Sequence, residues 1–208
     1  MKSEHTDGLV EIKSELLGLV EKLNELIDPS IPVEPIEDNF VIGTTFFEYL
    51  GLHEERDNGK LMKLFEEADV RIAGEVVDPD EWAWCAAFFS AIVIMAGFSI
   101  QPSVNAKSFS RVFTIISKSI NDSVLGCALV WGNHIGIFMG WADNFKLMEL
   151  ETPFKVSSVE EWESVKCDKD DPNAIPMCGG GNQSDMVNIS PADWYSKYSD
   201  FIGCFEVS

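Results

Sequence analysis

The sequence predicts an α+β domain, in which helices formed early in the chain pack on one antiparallel sheet formed later. Up to about residue 119 the apolar residues mostly recur at helical spacing, and from residue 125 onward they fall in short β-type runs between turn residues. With 208 residues, 46% of them hydrophobic, the chain is long enough to bury a full core.

Residues 1–28 are predicted to form an amphipathic helix for docking or oligomerisation. From Leu9 to Leu26, leucine and isoleucine repeat at alternating spacings of three and four, which is the seam of a coiled coil. So short a helix is unstable alone in water, so we expect it to pack on other copies, another protein or its own domain. Prolines 29, 32 and 35 predict a linker over 29–39, followed by the main domain over 40–208.

Within the main domain, the first predicted elements are helical. Helices are expected over 40–50, 59–68 and 103–119, with a charged loop at 53–58. Another helix, apolar on all sides and therefore buried, follows the Asp-Pro-Asp turn at 78–80 and ends at Gly97.

The rest of the chain predicts an antiparallel sheet of about five to six strands. These strands are expected at 125–131, 134–141, 146–150, 174–178, 185–189 and 201–207. The acidic segment 143–173 lacks the alternating oxygen ligands of a calcium loop, so we interpret it as a solvated surface insertion.

Composition excludes several classes of function. The net charge of −20 excludes a nucleic-acid-binding protein, because phosphate contacts need a basic face. No apolar run is long enough for a membrane span, and residues 1–5 lack a signal-peptide pattern, so we expect a cytoplasmic chain when synthesised. Five cysteines without a Cys-x-x-Cys pair argue against a disulfide framework and a zinc site, and we expect no metal or cofactor.

Cys85 is the candidate nucleophile because it lies in the first turns of the buried helix. Unpaired backbone N–H groups and the helix dipole favour a thiolate there. A lone buried cysteine is more often a small core residue. Two later segments favour catalysis: a strand that starts at His134, and a glycine run that presents Asn182. A thiol, an imidazole and an orienting amide are the groups that thiol hydrolysis requires.

Three motifs in this order resemble the NlpC-type and CHAP cysteine peptidoglycan hydrolases, closest to a branch found in phages and prophages. They are WCAAF at 84–88, NHIG at 133–136 and GGNQ at 180–183. The resemblance covers the chain from about residue 40. It departs from the family pattern at Asn133, at the strand before His134, and in the long segment between the last two motifs.

The resemblance implies a papain-like fold and cleavage of an amide bond in the peptidoglycan stem peptide. The implied catalytic residues are Cys85, His134 and Asn182, with substrate bound near Trp84, Gln183 and Glu54. His53 is a rival base, and Gln183 or Glu149 are alternatives to Asn182.

The same resemblance leaves the biological setting open. The chain is expected to act as an endolysin or virion-associated enzyme on the cell wall after release or delivery. A muramoyl-alanine amidase or a secreted antibacterial toxin would use the same site. A non-catalytic phage-particle subunit, docked through residues 8–27, is a further alternative.

Overall fold

The computed structural model describes residues 38–183, 185–197 and 199–207. The predicted helix 1–28 and residues 29–37 of the predicted linker lie outside the described residues. The first described helix, α1 (Asp38–Phe47), begins two residues before the helix start predicted at about residue 40.

Two further helices complete the layer on one side of the sheet, α2 (Glu54–Glu67) and α3 (Cys85–Met95). The charged loop predicted at 53–58 is wrong, because α2 begins there. His53 is its N-cap, and its Nδ1 accepts a hydrogen bond from the Glu55 N–H (3.3 Å). The acidic residues that suggested a loop instead occupy the first turn, where the helix dipole favours negative charge.

Within the described residues, the main sheet has seven strands and every pair in it is antiparallel. A separate hairpin joins β1 (Arg71–Ile72) and β2 (Glu75–Val76). The main sheet has the order β3-β9-β4-β5-β7-β8, with β6 paired to β5. Its strands are β3 (Thr114–Ser117), β4 (Ala128–Trp131), β5 (Ile135–Asp143), β6 (Lys166–Cys167), β7 (Ala174–Gly180), β8 (Asn188–Pro191) and β9 (Phe201–Glu206). This confirms the α+β class at the coarse level.

The helix predicted at 103–119 is wrong. The chain there forms a 3-10 helix (Ala106–Arg111) and then β3, which pairs with β9 at the edge of the sheet. The β-branched residues Thr114, Ile115 and Ile116 suit a strand, and the vacant edge of β9 supplies the hydrogen bonds.

The strand predicted at 146–150 is also wrong, because this segment forms the helix α4 (Asn144–Glu149). Asp143 caps the helix, and its Oδ1 accepts from the N–H groups of Phe145 (2.8 Å) and Lys146 (3.3 Å). This local side-chain cap prevails over the apolar alternation that suggested a strand.

The acidic segment 143–173 is not a solvated insertion. It contains α4, α5 (Val159–Val165) and β6, and four apolar side chains in it are buried in the main core. They are Leu147, Val156, Trp162 and Val165. The acids lie on the outer side of elements that pack on the domain.

The sheet separates two apolar clusters. The larger lies between the sheet and the helices and includes Ile135, Ile137 and Met139 of β5, whereas Phe138 belongs to the smaller cluster on the opposite face. The alternation predicted for this strand is therefore confirmed. No helix in the described ranges is long and apolar enough to cross a membrane.

Candidate active site

The thiol of Cys85 lies at the first residue of α3. The helix does not start at the Asp-Pro-Asp segment as predicted. Asp78 instead closes a separate turn, in which its carbonyl accepts from the N–H groups of Glu81 (3.1 Å) and Trp82 (3.2 Å). The later start places Cys85 in the first turn, where backbone N–H groups have no helical acceptor.

Trp84 holds the start of α3 in place. Its indole is fully buried, packs against Phe65 and Phe88, and donates from Nε1 to the Glu54 carboxylate (2.7 Å). A Cβ at Gly181 would collide with the Trp84 ring, so glycine permits this packing. The substrate contacts predicted for Trp84 and Glu54 stay predictions; the Trp84 ring is fully buried, whereas Glu54 is half-buried.

His134 immediately precedes β5 and has only 7% of its surface exposed. Its ring stacks on Tyr195, with centroids 4.0 Å apart and planes within 6° of parallel. Trp131, the last residue of β4, lies at a centroid distance of 5.8 Å on a tilted plane. The imidazole is therefore held by aromatic faces, and its Nε2 has no hydrogen-bond partner among the described residues.

The sulfur of Cys85 meets the sheet at the residue next to His134. The backbone of Ile135 and the Tyr195 side chain both lie close enough to this sulfur to influence its protonation. The start of α3 and the start of β5 therefore meet, and Tyr195 lies close to both the thiol and the imidazole.

Both groups are neutral in this environment. Burial raises the pKa of the Cys85 thiol, and this effect outweighs the backbone hydrogen bonds that lower it. Burial likewise lowers the pKa of His134 from 6.5 to about 3. The thiolate expected from the helix start is therefore not the resting form, because desolvation exceeds the influence of the helix terminus.

Asn182 follows the strand that pairs with β5. Ile137 pairs with Gly179 and Phe138 with Cys178, and β7 ends at Gly180, two residues before Asn182. Asn182 has the left-handed φ of 56°, so the sharp turn falls on the asparagine and not on the preceding glycines. Its side chain has no hydrogen-bond partner within the described part of the chain.

Gln183 is buried in a polar cluster beside Asn182. Its side-chain amide donates to Ser190 Oγ (2.9 Å), and its oxygen accepts from the Gly180 N–H (3.1 Å). Ser190 Oγ lies 3.1 Å from the Tyr195 hydroxyl. Gln183 therefore supports Tyr195, and its predicted contact with substrate stays a prediction.

Of the two rival residues, Glu149 lies far from His134. Glu149 is an exposed residue at the end of α4, which follows the far end of β5. Since β5 has nine residues, that end is about 30 Å from His134 at ~3.3 Å per residue, out of reach of the imidazole. His53 has its Nδ1 occupied as the N-cap of α2.

Tyr195 is the residue of this site that sequence reasoning missed. It lies on the 3-10 helix Ala192–Lys197, far along the chain from all three motifs. Nothing in its local sequence distinguishes it from other aromatic residues, and only the fold brings its ring onto His134.

Tyr195→Ala is expected to raise the pKa of His134 from about 3 toward 6.5, because desolvation alone lowers it. Tyr195→Phe keeps the ring and should leave the pKa low. NMR titration of the imidazole measures both. Since the folded state holds His134 neutral, wild-type stability should fall as pH drops below 6.5, and Tyr195→Ala should reduce this slope. An unchanged pKa in Tyr195→Ala would contradict the shielding role.

All five cysteines are free thiols, and the described ranges contain no group of three metal-ligating side chains. No protein-family model matches the sequence, and comparisons with curated proteins and with solved structures find no similar protein.

Proposed function

We propose that this protein is a thiol hydrolase with a papain-like arrangement, which cleaves an amide bond of the peptidoglycan stem peptide. The observation that carries the proposal is the packing of the buried helix α3, which starts at Cys85, on β5, which starts next to His134. The order of the WCAAF, NHIG and GGNQ motifs supports peptidoglycan as the substrate.

Because the Cys85 thiol and the His134 imidazole are both neutral at rest, the first chemical step includes a proton transfer between them. Nε2 or Nδ1 of His134 removes the thiol proton as Cys85 Sγ attacks the amide carbonyl carbon, which forms a tetrahedral oxyanion. The backbone N–H of Cys85, free of a helical acceptor, is one candidate donor to that oxyanion. The intermediate collapses to a thioester as His134 protonates the leaving amine. Water activated by His134 then releases the acid and restores the thiol.

The third member is Asn182, by the GGNQ motif, and its side chain has no hydrogen-bond partner in the described part of the chain. Tyr195 already fixes the plane of the ring by stacking. We therefore assign orientation of His134 to Tyr195 and Asn182 together, with Gln183 holding Tyr195 through Ser190.

A non-catalytic phage-particle subunit with the same fold is the second candidate. The burial of both Cys85 and His134 favours it, because substrate must gain access to a thiol that is 7% exposed. The proposed enzyme therefore requires movement of the covering residues when substrate binds, and delivery to the cell wall by release or by a particle.

Digestion of purified peptidoglycan tests the proposal. The wild type should release soluble fragments, Cys85→Ala should release none, and the matched control Cys167→Ala, on β6 away from the site, should behave as the wild type. Fragment masses separate the two candidate bonds, because an amidase leaves muramic acid with a bare lactyl group. Inactive wild type, folded and at micromolar concentration, would favour the structural alternative.

A further inference from the structure

A polar cavity of about 310 Å³ adjoins the candidate active site. Its lining includes Asn182, Gln183, Ser190, Tyr195 and Lys155. Tyr195, which stacks on His134, also lines the cavity, so a ligand bound there would contact a residue that itself contacts the imidazole.

The charge contributed by the described lining of the cavity is positive. Among the described residues that line it, Lys155 is the one charged residue, and the others contribute amides, hydroxyls and the Trp194 ring. Within the described part of the chain, the Lys155 ammonium has no carboxylate or hydrogen-bond partner. The whole chain carries −20, so a lysine without an acidic partner gives this cavity a local charge opposite to that of the chain.

The fold holds Lys155 at this position. The next residue, Val156, exchanges both backbone hydrogen bonds with Ile189 of β8 at 2.9 Å each. The preceding residue, Phe154, packs its ring on Trp194 at a centroid distance of 5.7 Å. Both neighbours of Lys155 are therefore anchored, and the backbone that carries the ammonium is fixed beside the cavity.

We propose that this cavity binds a free carboxylate of the peptide substrate, with Lys155 as the charged partner and Asn182 as an amide donor. An ammonium and an amide N–H bind carboxylate by charge-assisted hydrogen bonds, whereas a carboxamide in its place loses the ion pair. This inference rests on the proposed function, and it predicts a hydrolase selective for stem peptides with an unamidated carboxylate near the cleaved bond.

Binding of two synthetic stem tetrapeptides to the full-length Cys85→Ala protein tests the inference by calorimetry. One peptide has free carboxylates and the other has them converted to carboxamides. The free acid should bind about 10-fold or more tightly, since a hydrogen bond to a charged group contributes at least that factor. The preference should weaken at high salt.

Lys155→Met should abolish the preference and Lys155→Arg should retain it. Lys197→Met, an exposed lysine on the Tyr195 segment outside the cavity lining, is the matched control and should keep it. Equal affinity for the two peptides, absence of binding by both, or a preference that survives Lys155→Met would overturn the inference. If the wild type digests peptidoglycan without this selectivity, the inference about the cavity fails and the proposed function stands. Failure of the wild type to digest peptidoglycan counts against the proposed function itself.

Discussion

His134→Gln should lower peptidoglycan hydrolysis by roughly 10²- to 10⁴-fold, the usual contribution of a general base. Glutamine is neutral and close in size to the neutral imidazole that the folded protein holds, so the melting temperature should change little. Initial rates of fragment release, measured at matched concentrations of folded protein, give the loss.

His53→Gln is the matched control for that experiment. This substitution removes the N-cap of α2, which costs about 1 kcal/mol of stability, and should leave the hydrolysis rate nearly unchanged. If His53→Gln abolished hydrolysis while His134→Gln did not, the two histidines would have to exchange roles, and the site would have to be rebuilt around the start of α2.

Trp84→Ala should destabilise the protein by about 3–5 kcal/mol, the usual cost of emptying a buried aromatic site. The ring is fully buried, and its loss also leaves the Glu54 carboxylate without the indole donor. Urea unfolding, read from the shift in midpoint at constant slope, measures the change.

Trp82→Ala is the matched control, because Trp82 lies two residues away and is 51% exposed. Its replacement should change the free energy of unfolding by no more than about 0.5 kcal/mol. Trp84→Phe keeps much of the ring but loses the bond to Glu54. Its loss in the free energy of unfolding should lie between those of Trp82→Ala and Trp84→Ala. A loss below about 1 kcal/mol for Trp84→Ala would mean that the ring does not support the start of α3.

The Cys85 helix and the His134 strand could be predicted because their apolar patterns are long and unambiguous. A helix apolar on every face must be buried, and the alternation in β5 specifies which residues face the helices. The class of the domain follows from these two elements and their order.

The segments whose secondary structure was predicted wrongly are those whose conformation depends on residues far away in the sequence. Residues 114–117 form a strand because β9 offers an open edge, and β9 lies some 85 residues later in the chain. Segment 143–173 is acidic on average, yet its few apolar residues are spaced to bury one side of short helices. The average charge of a segment does not reveal the spacing of its apolar residues.

The prediction of a Cys85 thiolate was wrong for a related reason. The helix terminus is visible in sequence and predicts a lowered thiol pKa, whereas burial by residues from other elements is not visible and raises it. The stacking of Tyr195 on His134 is of the same kind, since it joins a 3-10 helix to the start of a strand some 60 residues earlier.

The most direct test of the central claim is intact-mass analysis of the protein after rapid acid quenching of its reaction with a soluble muropeptide. If Cys85 is the nucleophile, the wild type should gain the mass of the acyl fragment as a thioester that peptide mapping assigns to Cys85, and Cys85→Ala should gain none and release no product. Hydrolysis by Cys85→Ala at the wild-type rate, or an adduct mapped to another residue, would contradict the assignment.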